Sequence, residues 1–462
     1  MFEFFCGTSL IHSTRHGTSS QIIEQPKENL FALESIRLLA AATADRPALL
    51  SPPITWNRKM NETIADVVVV GLGAFGSATA FQLAKRGLKV IGIDRFAPPH
   101  DRGSSHGNTR ITRLAAGEGE AYIPFIKRSH EIWRALEAQT GRTLYHRTGG
   151  LVIGARDSAT HHHAKPDFLQ QTIANARQFG IEHEVLTAAD MSKRYPQFRL
   201  RGDELAYFEP DAGVLIPEAC IETQIELARA SGASIRFNEP VIDIKEQGDG
   251  VIVRTALGKY AAARVVVTAG AWIPGMAGGK MAEHLRVMRQ TLHWFATTDP
   301  SLYSPARCPI FIWMHGNGDH DYMYGFPMID GQPGVKVATE QYEAACTPDD
   351  FDRHVGADES RAMFDAHVAG RLAAVTSTTV HAAACLYTVS TDSGFVIDRY
   401  RDMKNVKVVS ACSGHGFKNS AGFGERLALW AAGHDDDTLD RFQVSRLDAY
   451  QPGMSSSTSR AS

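Results

Sequence analysis

Six consecutive residues, Gly71-Leu72-Gly73-Ala74-Phe75-Gly76, carry three glycines at the spacing that brings a backbone against a diphosphate. They follow an apolar run at 67–70, fit for a strand buried on both faces, and open a stretch at 75–86 with helical spacing. In such a turn Gly71 permits the sharp bend, Gly73 admits the phosphates, and Gly76 lets the helix pack closely. The helix N-terminus then offers its unpaired N–H groups to the anion. Ala74 and Phe75 fill the positions between the last two glycines. A second apolar run at 90–94 closes on Asp94, whose carboxylate suits the hydroxyls of an adenosine ribose and disfavours a 2′-phosphate. Arg95 adjoins it and joins the candidate set. Strand, glycine turn, helix, strand and acid together predict a dinucleotide site, which the glycines alone would not.

That pattern does not choose between a nicotinamide and a flavin dinucleotide. Much later, Val265-Val266-Val267-Thr268-Ala269-Gly270-Ala271-Trp272 reads as a strand ending in a small-residue turn at Gly270, a return expected of a flavin domain. An ordinary buried strand would look the same. Near the C-terminus, Ser413-Gly414-His415-Gly416-Phe417-Lys418 lies between a strand-like run at 406–410 and a helical stretch at 424–432. Backbone N–H groups around Gly414, Gly416 and Phe417, with the Lys418 ammonium, suit a flavin edge or a substrate carboxylate. A plain turn with a surface lysine is the alternative.

These residues need a scaffold, and 462 residues allow two or three domain-sized units with a large core. The 48 basic and 51 acidic side chains leave a net charge of -3, so no nucleic-acid partner is expected. Residues 67–84 carry no charge and approach the lower limit for a bilayer span. Their glycines, with Ser77, Thr79 and Gln82, fit strand, turn and helix better, and no membrane span is expected. Cys6, Cys220, Cys308, Cys346, Cys385 and Cys412 are scattered, which predicts a reducing, cytoplasmic setting without disulfides. Residues 1–59 hold no sustained apolar period and read as a non-essential or disordered extension. Glu3, Glu24, Glu28, Glu34 and Asp45 argue against a targeting peptide there. Residues 451–462 read as a flexible tail. Strand-like runs at 234–237, 251–255, 264–268 and 406–410 recur far from the first βαβ unit, which predicts one nucleotide-binding domain interrupted by insertions that form a second.

A family resemblance covers roughly residues 60–449. His106-Gly107-Asn108-Thr109-Arg110-Ile111-Thr112-Arg113, followed by Gly117-Glu118-Gly119, resembles the segment after the second strand in monomeric sarcosine oxidase and N-methyltryptophan oxidase. Cys385-Leu386-Tyr387-Thr388 and the run 413–418 resemble two further motifs of that family, in the same order. The resemblance implies an α/β fold: a Rossmann-like FAD domain from 60–146, 207–279 and 388–450, and a discontinuous α+β substrate domain on an antiparallel-rich sheet from 147–206 and 280–387. It implies FAD bound covalently through Cys385. Arg113 and Lys418 would hold a substrate carboxylate, and a guanidinium fork and an ammonium suit one. Arg110 would lie against the flavin, accompanied by Thr109, His106 and Glu118. Tyr324 and Tyr387 would line the substrate cavity, and Lys336 would activate oxygen. Without the resemblance, Cys385 reads as a core cysteine and Lys336, between two valines, as a surface lysine.

The implied reaction is oxidation of a secondary, N-methylated amino acid by O2, giving an imine, then formaldehyde and amino acid, with hydrogen peroxide. The protein would act as a monomer. Cyclic imino acids are alternative substrates, an electron carrier is an alternative acceptor, and a non-catalytic flavin-binding subunit is the remote alternative. One departure stands out: the sarcosine oxidases carry a histidine four residues after the oxygen-site lysine, where this chain has Glu340. The substrate ammonium, Lys336, or a basic substrate side chain could pair with it, and a substrate larger than sarcosine is expected. His161-His162-His163 is expected to be an exposed loop and no metal site, because three consecutive histidines cannot face one ion from regular structure.

Overall fold

A computed structural model describes residues 62–156, 162, 167–318, 320–329, 331–434 and 437–450. All of these belong to the compact unit Leu50–Ser462. The expectations for 1–59 and 451–462 lie outside the described residues.

The strand Glu62–Val70 occupies the middle of an eight-stranded sheet, parallel to Val90–Ile93 on one side and to Lys259–Val267 on the other. Val67, Val68, Val69 and Val70 are all buried, so both faces of this strand are covered, as the uninterrupted apolar run requires. Ser234–Arg236 extends the sheet beyond Val90–Ile93, and Met403–Ser410 runs parallel to Lys259–Val267. The segments expected from four distant places therefore meet in one sheet. Gly250–Thr255 with Val241–Gln247, and Val396–Tyr400 beside Met403–Ser410, add antiparallel hairpins that sequence reading foresaw only in part. Helix Ala74–Lys85 is buried along most of its length because helix Ser420–Ala431 crosses it closely. Gly424 makes that approach possible: a Cβ there would stand 2.4 Å from the Ala78 Cβ.

A second eight-stranded sheet is antiparallel at every junction except that between Ile310–Met314 and Gly150–Ala155. Its edge is the long strand Val375–Ser390, paired over most of its length with Leu285–Thr297. Val335–Ala338 and Tyr322–Gly325 follow. The strand Glu204–Glu209 belongs to this sheet, across the boundary expected at 206/207, because its apolar residues pair with Gly150–Ala155 and not with the first sheet. A small sheet joins Arg110–Thr112, Gly213–Leu215 and Tyr145–His146. No helix among the described residues is long and apolar enough to cross a membrane.

Candidate active site

A cavity of 390 Å³ begins at the first glycine turn and reaches Cys385, Tyr387, Arg113, Glu340 and Lys418. At its nucleotide end Gly71 sits at φ +87°, and a Cβ there would lie 2.6 Å from the Thr268 carbonyl oxygen. The neighbouring strand crowds the turn and only glycine fits. Helix Ala74–Lys85 has no side-chain cap and no acidic residue in its first turn, so its N-terminal donors are unclaimed by side chains there. Asp94 falls one residue past the second strand, where its carboxylate accepts from Leu72 N at 2.6 Å and Phe96 N at 2.8 Å. Those two bonds fix the acid beside the turn and leave it lone pairs for ribose hydroxyls. Arg95 stands over the Phe96 and Trp272 rings and pairs with Asp349 at 2.9 Å. Gly270 takes φ +52° where Lys259–Val267 ends. This donor set, uncapped helix and carboxylate included, fits an adenine dinucleotide.

At the other end a loop from the first sheet meets strands of the second. Glu218, at the start of helix Pro217–Ala230, accepts from Gly107 N and Asn108 N and fixes the loop. Arg110 donates to Thr109 O at 2.7 Å and Ser104 O at 2.6 Å. Lys336 is 2 % exposed and points inward from Val335–Ala338, donating to Gly107 O at 2.6 Å and Thr109 Oγ1 at 2.8 Å. Its ammonium also stands over the Trp294 and Phe326 rings. Burial, then Arg110, push its pKa well below the usual lysine range. Cys385 is buried beside these groups; burial raises its thiol pKa, and Arg110 and Lys336 oppose that rise. His106 is buried in the same loop, and burial, then Arg110, bring its pKa to about 3, leaving a neutral ring. His106 and Gly76 stand outside the cavity wall, whereas the other candidates line it.

Arg113 and Lys418 come from opposite ends of the chain and share one carboxylate. Glu118 Oε2 accepts from Arg113 at 2.8 Å, and its Oε1 accepts from Lys418 at 2.8 Å. All three are nearly inaccessible to solvent. Burial lowers Lys418 to about 8 although Glu118 opposes it. Glu209, missed in the sequence, holds the Arg113 loop by accepting from Leu114 N and Ala115 N. The turn at Gly414 and Gly416 seats Phe417 and Lys418; a Cβ on Gly416 would meet the Ala411 carbonyl oxygen at 2.0 Å. The Tyr324 and Tyr387 hydroxyls stand 3.4 Å apart across the cavity.

Glu340 does not bond to Lys336. Its Oε2 accepts from Tyr342 at 2.6 Å and Tyr322 at 3.2 Å. Gln290, opposite Cys385 in the strand register, clasps the Gln341 backbone at both polar atoms and so fixes this segment beside Cys385. Burial raises the Glu340 pKa, and the charge of His162 is the foremost influence opposing it. The expectation of an exposed histidine loop is thus corrected: His162 is 3 % exposed, lines the cavity, and packs on Phe168 and Tyr322. A polar, aperiodic stretch reads as surface until another element supplies an acid and aromatic rings to receive one of its residues. His161 and His163 lie outside the described residues. Among the described residues no cluster could hold a metal ion.

The family described as FAD dependent oxidoreductase matches residues 66–430, from the first strand to the helix that packs against the glycine turn. The chain belongs to that family. It is an FAD-dependent oxidoreductase with an α/β fold. Monomeric sarcosine oxidase of Streptomyces avermitilis is 37% identical over 366 residues, covering 79% of this chain and 92% of its own. N-methyl-L-tryptophan oxidase of Salmonella heidelberg is 31% identical over 391 residues, covering 82% and 98%. In fold the chain is similar to NikD, described as an unusual amino acid oxidase essential for nikkomycin biosynthesis, with a TM-score of 0.69 at 24% identity over 82% of this chain and 97% of that one.

Proposed function

We propose that this FAD-dependent oxidase acts on N-methyl amino acids, with O2 as acceptor and with FAD bound covalently through Cys385. The observation that carries the reading is the buried Arg113–Glu118–Lys418 cluster in the same cavity as Cys385 and Lys336. FAD, when bound, supplies a two-electron acceptor. Everything else falls to the chain's own residues. Arg113 and Lys418 bind the substrate carboxylate, exchanging part of their hold on Glu118 for it. The Tyr324 and Tyr387 pair walls the cavity and keeps water from the reacting carbon. Arg110 and Lys336 place positive charge where electron density grows during turnover. Curated relatives named for sarcosine and for N-methyl-L-tryptophan support the substrate class.

The overall change converts an N-methyl amino acid, O2 and water into the amino acid, formaldehyde and hydrogen peroxide. Peroxide and formaldehyde should therefore form in equal amounts, matching the O2 consumed. Amine oxidation that reduces a dye but yields no peroxide would replace the oxidase reading with an electron-carrier dehydrogenase.

A further inference from the structure

Glu340 was expected to pair with the substrate ammonium, with Lys336 or with a basic substrate side chain, and a lasting pair with the ammonium would hold the substrate in its unreactive form. Its surroundings assign it differently. The carboxyl is 3 % exposed, takes two tyrosine hydroxyls on one oxygen, and lies in the field of a histidine. Glu340 lines the same cavity as Lys418, Tyr324 and Tyr387 and its charge acts on all three, which places it at the carboxylate-anchoring end. An α-amino acid carries its nitrogen one carbon from its carboxylate. Anchoring the carboxylate on Arg113 and Lys418 therefore leaves the nitrogen in the pocket that Glu340 and His162 close.

We infer that Glu340, held by Tyr322 and Tyr342, accepts the proton that a zwitterionic substrate must lose before its α C–H bond can break. The inference rests on the amine-oxidase reading above. The N–H bond of the substrate ammonium breaks, its electron pair stays on nitrogen, and the proton forms an O–H bond on the Glu340 carboxylate. The freed lone pair is then available to form the C=N bond, and FAD, when bound, would supply the hydride acceptor. Two physical effects make the transfer feasible. Arg110, Arg113 and Lys418 disfavour a fourth cation nearby, which lowers the ammonium pKa, while burial raises that of the carboxyl. Glu118 works against the first effect, but its two oxygens are engaged by Arg113 and Lys418. Tyr322 and Tyr342 are themselves pushed up by burial and by Glu340, so they stay protonated as donors and do not compete as acceptors.

Anaerobic flavin reduction in the holoenzyme by one N-methyl amino acid, followed from pH 7 to 10, tests this. An alkyl ammonium has a pKa of about 10, near that of lysine. The wild type should keep its second-order reduction rate within about threefold from pH 7 to 9, because the site takes up the proton. Glu340→Gln should lose about tenfold for each unit below the amine pKa, since only the rare neutral amine is then competent. A pH indicator gives a second readout: Glu340→Gln should release about one proton per substrate bound at pH 7.5, and the wild type far less. Glu340→His, which restores a titratable group, should recover the flat profile. The same slope and the same proton release in wild type and Glu340→Gln would overturn the inference. Flavin that stays oxidised in the wild type at every pH would remove the amine-oxidase reading itself, and this inference with it.

Discussion

Lys336 reaches out of the antiparallel sheet to donate to Thr109 Oγ1 at 2.8 Å, tying the second sheet to the loop that carries Arg110. The lysine is thereby held beside Cys385 and over two aromatic rings, with water excluded. Burial and Arg110 weaken its hold on the proton, so negative charge developing nearby favours an ammonium already in place.

Oxygen accepts its first electron as superoxide, and a cation about 4 Å away at an effective dielectric near 20 contributes up to about 4 kcal/mol, roughly three decades in rate. Lys336→Met should slow reoxidation by up to that factor and leave flavin reduction within about tenfold. Stopped-flow comparison of the two half-reactions checks it. An equal loss in both would move Lys336 out of the oxygen step.

Cys385→Ser should release the flavin. After acid precipitation the wild-type pellet is expected to stay yellow and the variant's to turn white, with FAD in the supernatant. A colourless wild-type pellet would mean that FAD is held without a covalent bond.

The pKa of Lys418, about 8, sets a pH limit on ligand binding. It lies below the unfolded value, so the ammonium is charged below pH 8 and loses its proton as pH rises through that value. A simple carboxylate such as propionate should bind with constant affinity below pH 8 and weaken above it. The loss should level off at about 10- to 150-fold, the worth of one charged hydrogen bond of roughly 1.5–3 kcal/mol, because Arg113 remains. Lys418→Arg should abolish the break, since guanidinium does not titrate there. Flavin absorbance changes during titration report the affinity.

A Cβ on Gly76 would stand 1.8 Å from the Gly71 carbonyl oxygen and 2.6 Å from Thr268 Oγ1. Neither can yield without unmaking the turn, because Thr268 also holds the Gly71 carbonyl at 2.7 Å. Gly76→Ala should therefore purify without flavin or melt well below the wild type. Gly87→Ala, open on all sides but at φ +78°, should cost only about 1 kcal/mol. Thermal melting with flavin quantification separates the two.

The first βαβ unit was legible because its signals are local: an unbroken apolar run, three glycines and an acid at the next strand's end. Asp94, Arg113, Cys385 and Lys418 were legible as types, but their meeting depends on strands from distant parts of the chain lying side by side. Tyr322 carried a usable signal, since it lies two residues from Tyr324 on one strand and alternate strand residues share a face; Tyr342 lies past the end of Val335–Ala338 and carried none. His162 carried none. Its stretch has no period, and only the folded chain supplies Glu340, Tyr322 and Phe168 around it. The partners expected for Glu340 were all cations, whereas the folded chain gives it two tyrosine hydroxyls and sets a histidine from a segment read as surface within range of its charge.

The most direct test of the whole account is anaerobic mixing of the purified holoenzyme with a panel of N-methyl amino acids at pH 7 and pH 9. At least one should bleach the oxidised-flavin absorbance completely, with one formaldehyde and one demethylated amino acid formed per flavin. Flavin that remains oxidised with every member of the panel at both pH values would contradict it.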